Sequence, residues 1–561
     1  MFSNLRSFFD FKRITDAIFR KNLSTLFIRY ILFSLSFCRK KWKFLIKKSL
    51  QNSKSGLFYV FVVGLCNFIA SPPFSVILVL PLTFGSLIYI LEKKKVASIK
   101  WQLLTISVFL FGYFVGIFWW LFVPLTTDLL HFFWLIPFAI FGLPAVMTLC
   151  FVPFFTIGFF VLKKIKTNKN IDYSFAFAVM FIVCWFCGEY VRGHLIFGGF
   201  PWMLFGHFIK YAFAFQIVRL IGIDLYSILL LALVFGVYLF FFKKPNRLTQ
   251  ICCLSVFCFW FCNCLFGALF CLFSKQDTFS QIIVGTQINR SSNLNITSSE
   301  AIDILNKNIN QIFWTARSNK EMIKIMPENA INFHLESGDN IAKVLGKVVG
   351  NEKSILLAGG IYEEGLSIYN SVYSINNDGH VVSLYKKQKL VPFGEYIPVR
   401  KFMPFLTRTL TNGMVDFSTD GENDLFIFYR DLPIIYPTIC YESIFPNYVV
   451  NNIKKSRKYI EKNFLELNKI ANEGDWGVKI KTLQERRELI VNIVNDAWMK
   501  WSVAGYQHFL MTRFLAAATG LPVVRVSNNG ISAFIDSRGR VVKNTKLNTE
   551  DILFIAPKSK R

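Results

Sequence analysis

Cysteine is nearly absent from the second half of this 561-residue chain: eleven of the twelve cysteines precede residue 275, and only Cys440 follows it. Without a second thiol in that half, Cys440 has no disulfide partner there, and a cysteine-based zinc site is excluded. Acidic residues are also few, 35 Asp and Glu against 63 Lys and Arg. Strongly basic chains often bind nucleic acid, but no basic helix here is interleaved with base-stacking aromatics. We therefore do not expect nucleic acid as a partner.

The first 56 residues lack the features of a secretory signal peptide. Their one apolar stretch, LSTLFIRYILFSLSF, is interrupted by Arg29, and no small-residue cleavage site is evident. We interpret residues 1–56 as a basic N-terminal extension. It is expected either to lie on the cytoplasmic membrane surface as an amphipathic segment or to be poorly ordered.

Long apolar runs dominate the next part of the chain. The apolar fraction of 53% and the mean hydropathy of +0.42 exceed those of a globular protein, and the excess lies between residues 57 and 273. We predict a transmembrane domain over 57–275 with about seven helices, each judged against the roughly 20 residues that cross the hydrocarbon. The helices are predicted near 57–72, 74–92, 102–124, 134–162, 173–191, 212–242 and 249–273.

Basic clusters predict how these helices are oriented. The clusters EKKK (92–95), KKIKTNK (163–169) and KKPNR (243–247) follow every second predicted span. Because cytoplasmic loops carry the excess of Lys and Arg, the N-terminus is expected inside the cell and residue 276 outside it.

The loop after the fifth predicted span, EYVRGHLIFGGFPWMLFGH (189–207), places glycine, proline, tryptophan and paired charges at a membrane edge. Such a composition is typical of a re-entrant or interfacial segment. An aromatic belt that anchors the helix ends also explains it, without any specific function.

From residue 276 onward the sequence has mixed charge and alternating strand and helix patterns. LPIIYPTIC (432–440) predicts an apolar strand, and Asn-Asp-Gly at 377–379 predicts a turn between two strands. Strands that alternate with helices predict a layered α/β domain. We place this domain at 276–556, with a charged insertion near 448–490.

Cys440 ends one of these predicted strands, directly before a turn. A rigid strand end is a suitable place for a nucleophile, but a free cysteine is also commonly a small buried hydrophobic residue. A thiol nucleophile needs a group that manages its proton. His508 is a candidate, with His334 and His380 as others in this half, although a histidine among apolar residues is more often packed or exposed without a catalytic role.

Four motifs in this half resemble, in order, those of nitrilase-type carbon–nitrogen hydrolases: MPENA (326–330), YKKQKLVPFGEYIP (385–398), ICYES (439–443) and NDAW (495–498). Together with the segment YQHFLMTRFLAAATGLPVVRVSNNGISAFID and the membrane loop EYVRG…GGFPW, they more closely resemble the bacterial apolipoprotein N-acyltransferase family, over roughly residues 57–556. The resemblance implies a polytopic α-helical membrane domain followed by an α/β nitrilase-like αββα sandwich domain.

The resemblance also implies the catalytic residues. Glu328 matches the family's general base, Lys387 the lysine that stabilises the oxyanion, and Cys440 the nucleophile. Supporting active-site residues are Glu395, which matches a glutamate that orients the lysine or holds the active-site loop, together with Tyr441 and Glu442, which adjoin the cysteine. No metal and no cofactor is implied.

The implied reaction is acyl transfer through a cysteine thioester. The acyl donor is a membrane phospholipid, and the acceptor is the α-amino group of a diacylglyceryl-modified apolipoprotein. The expected enzyme is a monomer that crosses the bacterial inner membrane several times, with its catalytic domain on the periplasmic side. Two alternatives stay open: a membrane-tethered nitrilase-type amidase, or an inactive descendant that binds lipoproteins or lipid.

Three features depart from the family pattern. Met326 stands where the family has a tryptophan before Pro-Glu, and INRSSNLN (288–295) lacks the tryptophan expected after the first strand of the domain. The segment between CYES and VNDAW is longer and more charged than usual. The chain stops at DILFIAPKSKR without the family's last transmembrane helix, so we predict seven spans and a free outer C-terminus.

Overall fold

A computed structural model of the chain describes residues 53–93, 98–165, 173–243, 245–290, 296–397, 416–419, 423–471 and 486–557. The predicted N-terminal extension lies almost wholly outside these residues, as do parts of the three basic clusters and of the charged insertion.

The apolar half consists of helices. Within a bilayer only a helix satisfies every backbone hydrogen bond of a single apolar segment, which is why these runs fold this way. The main helices are α1 (Ser53–Leu65), α2 (Val79–Lys93), α3 (Ile99–Phe118), α4 (Leu143–Leu149), α5 (Val152–Ile165), α6 (Tyr173–Tyr190), α7 (Val218–Phe242) and α8 (Arg247–Phe273). Short 3-10 and π segments extend several of them.

Among the described residues, four helical segments are long and apolar enough to cross a membrane, so the chain is a membrane protein. They are Ile99–Leu135, Tyr173–Gly198, Val218–Phe242 and Arg247–Phe273. A fifth arises if the pair Phe138–Leu149 and Val152–Ile165, bent by 42°, forms one span. Two shorter apolar helices, Gly56–Ala70 and Val79–Glu92, occupy the first two predicted spans. Each predicted span thus coincides with an apolar helix or helix pair, while the number of crossings stays a prediction.

Close backbone contact fixes the packing of α1 against α3. A side chain at Gly64 would lie 2.2 Å from the carbonyl oxygen of Phe109, and one at Gly112 would lie 2.3 Å from that of Phe61. Small residues that let helix backbones approach are a common means of association inside membranes. The helices enclose a core rich in aromatic rings, with Phe84 in contact with Trp185 at a centroid distance of 5.3 Å.

The second half contains two mixed sheets. The first has six strands in the order β11-β1-β2-β3-β4-β5, and the second has five in the order β10-β9-β8-β7-β6. The strands are β1 (Ile282–Gln287), β2 (Met322–Ile331), β3 (Ile355–Glu364), β4 (Ser367–Ile375), β5 (Val381–Lys386), β6 (Ile434–Ile439), β7 (Glu488–Val494), β8 (Val523–Ser527), β9 (Ala533–Ile535), β10 (Val541–Asn544) and β11 (Asp551–Ile555).

The sheets face each other across an apolar core and carry helices on their outer faces. Leu357 of the first sheet and Val491 of the second belong to the buried layer between them. Helices α9 (Ser298–Ile312) and α10 (Asn340–Val349) cover the first sheet, while α11 (Pro446–Ala471) and α12 (Ala504–Thr519) cover the second. This arrangement is the αββα sandwich that the family resemblance implies.

Helix α12 joins the two halves of the molecule. Its Phe514 stacks on Phe215 at 4.2 Å between ring centroids and also contacts Tyr226 of α7. Residues of the second half, including Tyr441 and Met511, therefore belong to the same buried apolar cluster as the membrane helices. The edge of the sandwich that contains Cys440 consequently rests on the membrane half.

Candidate active site

Cys440 lies at the end of β6, the last strand of the second sheet. The strand is buried throughout, and its edge position tolerates Pro437, which cannot donate a ladder hydrogen bond. Cys440 begins a 3-10 turn and has φ = +46°, a conformation that is strained for a residue with a side chain. The residue is only 3% exposed. A strained, buried cysteine at a strand end is more typical of a functional position than of ordinary core packing.

Glu328 reaches the same edge from the first sheet. The register of β2 against β3 shifts between Met326 and Ile331, so the strand pairing is irregular around Glu328. The opposite residue is Gly359, where a side chain would lie 2.6 Å from the Glu328 Cα. The Glu328 carboxylate accepts hydrogen bonds from Asn370 Nδ2 (2.7 Å) and from the backbone N–H of Asn495 (2.8 Å).

Lys387, directly after β5, bridges two carboxylates. Its Nζ lies 3.3 Å from Glu328 Oε1 and 2.8 Å from Glu395 Oε1. The lysine is 1% exposed, and burial alone would lower its pKa. The negative charges of Glu395 and Glu328 outweigh burial and raise the pKa of Lys387, so its ammonium stays charged. We call Glu328, Lys387 and Glu395 the carboxylate–lysine cluster.

Glu395 ties this cluster to its own loop. Its second oxygen accepts a hydrogen bond from the backbone N–H of Val391 at 2.8 Å, while Asn370 Nδ2 reaches the first at 3.0 Å. Asn370, on β4, thus donates to both glutamates and fixes their separation. Glu395 contacts both Lys387 and the loop, so its geometry is compatible with either role that the resemblance implies for it.

Burial and the carboxylate–lysine cluster together determine the charge state of Cys440. Burial, followed by the negative charge of Glu328, raises the pKa of the Cys440 thiol well above its ordinary value, and Lys387 opposes this rise. The resting residue is therefore a neutral thiol. Such a thiol would act as a nucleophile only if a base took its proton, and Lys387 would then compensate the new negative charge.

Glu442 and Tyr441 have different surroundings. Glu442 is fully buried, and its carboxylate accepts hydrogen bonds from Tyr385 Oη (2.8 Å) and from the backbone N–H groups of Gln388 (2.8 Å) and Ile439 (2.8 Å). It links the turn at Cys440 to the chain that follows Lys387. Tyr441 instead points toward the membrane half, because its hydroxyl donates to the carbonyl oxygen of Gly199 at 3.0 Å.

A second buried group of ionisable residues adjoins Cys440. His508 Nδ1 lies 2.9 Å from Asp496 Oδ1, and Arg525 Nη2 donates to Asp496 Oδ2 at 2.6 Å. His508 Nε2 lies 3.2 Å from the carbonyl oxygen of Cys440 and 3.1 Å from Ser443 Oγ. Asp496, His508 and Arg525 form what we call the histidine cluster, which contacts the backbone of the turn that holds the thiol.

The protonation states of the histidine cluster follow from burial and charge. Burial and then the neighbouring Arg525 lower the pKa of His508, so its imidazole is neutral at neutral pH. Burial alone would raise the pKa of Asp496, but Arg525 and His508 lower it below its ordinary value. Asp496 is therefore an anion, and Arg525 is the cation that balances it.

Cys440, Asp496 and His508 have potential metal-ligating atoms within 4.8 Å of one another. This donor set does not suit a cation, however, because both Asp496 oxygens already accept hydrogen bonds and the Arg525 guanidinium lies at the same place. We therefore assign no step to a metal.

Several residues of the site escape sequence reasoning. Asn370 stands in β4 without any motif, and only the antiparallel register places it between the two glutamates. Asp496 lies inside the NDAW motif, but its partner Arg525 is 29 residues further along the chain, on β8, which pairs in parallel with β7. The candidate His508 contacts the Cys440 carbonyl oxygen, a backbone contact that side-chain patterns do not reveal.

The glycine-rich membrane loop packs against this site. Phe200 stacks on Tyr441 with ring centroids 6.5 Å apart, and Trp202, 1% exposed, lies against His508 at 5.4 Å. The Trp202 indole donates to Gln507 Oε1 at 2.8 Å. The loop is therefore a contact between the two halves, and at Trp202 it does not act as an exposed aromatic belt.

Comparison with known proteins agrees with this architecture. Residues 63–237 match the family model of the apolipoprotein N-acyltransferase N-terminal domain, and residues 327–460 and 478–558 match that of carbon–nitrogen hydrolases. An apolipoprotein N-acyltransferase of Rickettsia typhi is 29% identical over 499 residues, 84% of this chain and 86% of the relative. That of Rickettsia bellii is 30% identical over 467 residues, 79% of this chain and 80% of the relative.

Among solved structures, Saccharomyces cerevisiae Nit3, a member of branch 10 of the nitrilase superfamily, aligns with 50% of this chain. The alignment covers 91% of the yeast chain, with 16% identity and a TM-score of 0.33.

Proposed function

The chain belongs to the apolipoprotein N-acyltransferase family and is an acyltransferase, and we propose that it carries out acyl transfer through a thioester on Cys440. The donor in this proposal is a membrane phospholipid. The acceptor is the α-amino group of the N-terminal diacylglyceryl-cysteine of an apolipoprotein, and the product is the triacylated lipoprotein. The observation that carries the proposal is the contact of one buried ammonium, Lys387, with two carboxylates beside a strained, buried thiol.

In the first half-reaction, Glu328 takes the thiol proton and Cys440 Sγ attacks the ester carbonyl carbon of the phospholipid. The charge that develops on the carbonyl oxygen is stabilised by Lys387, whose ammonium stays protonated because both glutamates raise its pKa. The carbon–oxygen ester bond then breaks, Glu328 returns the proton to the leaving alcohol oxygen, and a lysophospholipid departs.

In the second half-reaction, the lipoprotein amine attacks the thioester carbonyl carbon. Glu328 accepts a proton from the amine, the carbon–sulfur bond breaks, and Cys440 recovers its proton as the amide forms. Both substrates are anchored in the bilayer, so a catalytic edge that rests on the membrane helices keeps their acyl chains in lipid. Burial of Cys440 also limits the access of water, which would otherwise hydrolyse the thioester.

The proposed location of the catalytic domain is the periplasmic side of the bacterial inner membrane. Lys163 and Lys164 lie in the last turn of α5, and Lys243 caps the C-terminal end of α7. Helix α8 returns through the membrane after a short connection, so it ends, and the catalytic domain begins, at the face opposite Lys243. Basic helix ends mark the cytoplasmic face, which supports the external assignment.

The proposal is tested by acylation of the enzyme itself. Purified full-length protein is incubated with phospholipid labelled in its acyl chains, without acceptor, and peptides that contain Cys440 are analysed by mass spectrometry. We expect one thioester-linked acyl group on Cys440 in the wild type. In Cys440→Ser we expect no acyl group at residue 440 that thioester-specific cleavage releases.

The outcome separates the alternative functions. Absence of the adduct in folded wild-type protein contradicts the acyltransferase mechanism and favours an inactive binding protein. An adduct that water discharges, with no gain in rate from a diacylated lipopeptide, favours a hydrolase.

A further inference from the structure

A cavity of 380 Å³, which Cys440 does not line, lies where the last turn of α8 meets the catalytic half. Three basic side chains line it, Lys210, Arg513 and Arg540, together with an apolar floor of Ala212, Phe213 and Cys271 and the ring of Tyr211. None of the carboxylate–lysine or histidine cluster residues belongs to its lining. The cavity is therefore a separate feature with its own chemistry.

Two of the three cations have no salt bridge among the described residues. Lys210 lies over the Tyr211 ring, while Arg513 lies over the Phe215 ring at 5.8 Å and donates from Nε to the Gly539 carbonyl oxygen at 2.9 Å. Arg540 differs, because its Nε donates to Asp536 at 2.7 Å, and that carboxylate also pairs with Arg538. Asp536 is thus shared by three cations, because its charge also acts on Arg513, and positive charge exceeds negative charge around the cavity.

Burial makes the charge on Arg513 energetically important, because the guanidinium is largely removed from water. It lowers the pKa of Arg513 to about 10, so the guanidinium is still charged at neutral pH although it is poorly hydrated. A cation in such surroundings is stabilised by an anion that brings several acceptor oxygens. A phosphate group meets this requirement, and arginine is well suited to bind it.

Exposed apolar helix surface adjoins the cavity. Helix α8 is mostly exposed along its length, and near the cavity its exposed residues include Phe266, Leu272 and Phe273. At Gly267 a side chain would lie 1.8 Å from the carbonyl oxygen of Phe213, so the backbone that forms the floor is held tightly against α8. A ligand that enters here has apolar helix surface on one side and cations on the other.

We propose that this cavity binds the headgroup of an anionic phospholipid, with its phosphate between Lys210 and Arg513 and its acyl chains along α8. The lipid at this position is not the acyl donor, because the cavity shares no lining residue with the Cys440 site. Recognition is by net negative charge, since zwitterionic headgroups bring their own cation. The bound lipid holds the end of α8 against α12, which carries Arg513.

Photo-crosslinking tests the site directly. Phosphatidylglycerol with a diazirine near its glycerol is added to the full chain in phosphatidylcholine nanodiscs. After photoactivation, the labelled peptides are identified by mass spectrometry. We expect label in the segment 210–213 and around Cys271. Lys210→Gln should reduce this label about fivefold, as expected for one basic residue near an anionic lipid, and Lys210→Glu should reduce it further. The exposed Lys343→Gln on α10 is the matched control and should leave the label unchanged.

Competition identifies the ligand. Unlabelled phosphatidylglycerol should displace the label, whereas added phosphatidylcholine or free glycerol 3-phosphate should not. Equal labelling of wild type, Lys210→Gln and Lys210→Glu would overturn the proposal, as would equal competition by phosphatidylcholine. Displacement by glycerol 3-phosphate would assign the cavity to a soluble phosphate instead. Because the readout is the position of the label, it does not depend on acylation of Cys440.

Discussion

Two buried charge clusters adjoin Cys440, and they differ in composition and origin. The carboxylate–lysine cluster comes from the first sheet and sets one ammonium against two carboxylates. The histidine cluster comes from the second sheet and α12, and it balances the Asp496 anion with the Arg525 cation around a neutral imidazole. The first cluster has negative charge in excess, whereas the second is neutral overall.

This difference in charge suggests different roles. An excess carboxylate is a base that can accept a proton, and the shared ammonium can compensate an oxyanion. A balanced cluster that contacts the Cys440 carbonyl oxygen has no such excess and supports the strained turn instead. We therefore expect substitutions in the first cluster to affect chemistry and those in the second to affect stability.

The largest effect is expected from Lys387→Met. It removes the compensating cation from the developing oxyanion and leaves Glu328 and Glu395 without their shared counter-ion. We expect the rate of acyl-enzyme formation to fall about 10³-fold. The neighbouring Lys386→Met is the matched control, because Lys386 pairs with the exposed Glu364 instead, and it should change the rate less than about threefold. Similar rates for the two variants would remove Lys387 from the chemistry.

Asp496→Asn is expected to have the next largest effect, on stability. It leaves the Arg525 guanidinium buried without its counter-ion, which costs about 3 to 5 kcal/mol. Thermal denaturation in detergent should show the loss. Asp277→Asn is the control, since Asp277 is partly exposed and lies 3.9 Å from Arg538. If Asp496→Asn melts like the wild type, the histidine cluster does not support the fold as described.

His508→Gln should change the pH dependence of stability. Because the folded pKa of His508 is lowered, the unfolded chain binds a proton below about pH 6.5 that the folded protein does not. Wild-type stability should therefore fall as the pH drops through 6.5, and the slope from this residue should not exceed about 1.4 kcal/mol per pH unit. The variant should lack that contribution, while His380→Gln, at an exposed position, should retain it. Parallel pH profiles for all three proteins would contradict a neutral buried His508.

Tyr441→Phe should have the smallest effect. It removes the hydrogen bond to the Gly199 carbonyl oxygen but keeps the ring against Phe200. Loss of the hydrogen bond should lower the free energy of unfolding by about 1 kcal/mol. Melting temperature should fall slightly, and acyl-enzyme formation should slow modestly, if this contact only aligns the membrane loop with the site. A loss as large as that of Lys387→Met would instead give the Tyr441 hydroxyl a chemical role.

Much of the fold can be predicted from the sequence, because local residue patterns specify the helices, strands and turns. Apolar runs predict the membrane helices, and the Asn-Asp-Gly turn appears between β4 and β5 with Gly379 at φ = +82°. The 42° bend between Phe138–Leu149 and Val152–Ile165 is not evident from hydropathy, since the apolar run continues through it.

Prediction of the site is less complete for a physical reason. Motifs identify residues that lie near each other along the chain or in a known family, such as Glu328, Lys387 and Cys440. Asn370, Arg525 and the membrane loop reach the site only through strand register and the docking of two halves. Those contacts depend on distant parts of the chain, which no local pattern encodes.

Isolation of the acyl-enzyme followed by a chase measures the central claim most directly. Protein acylated with labelled phospholipid is freed of excess lipid and mixed with a diacylated lipopeptide that has either a free or an acetylated α-amino group. We predict that the free amine discharges the label from Cys440 into an amide on the lipopeptide, while the acetylated peptide leaves the thioester in place. Equal discharge with both peptides, with the label released as fatty acid, would contradict transfer to the lipoprotein amine.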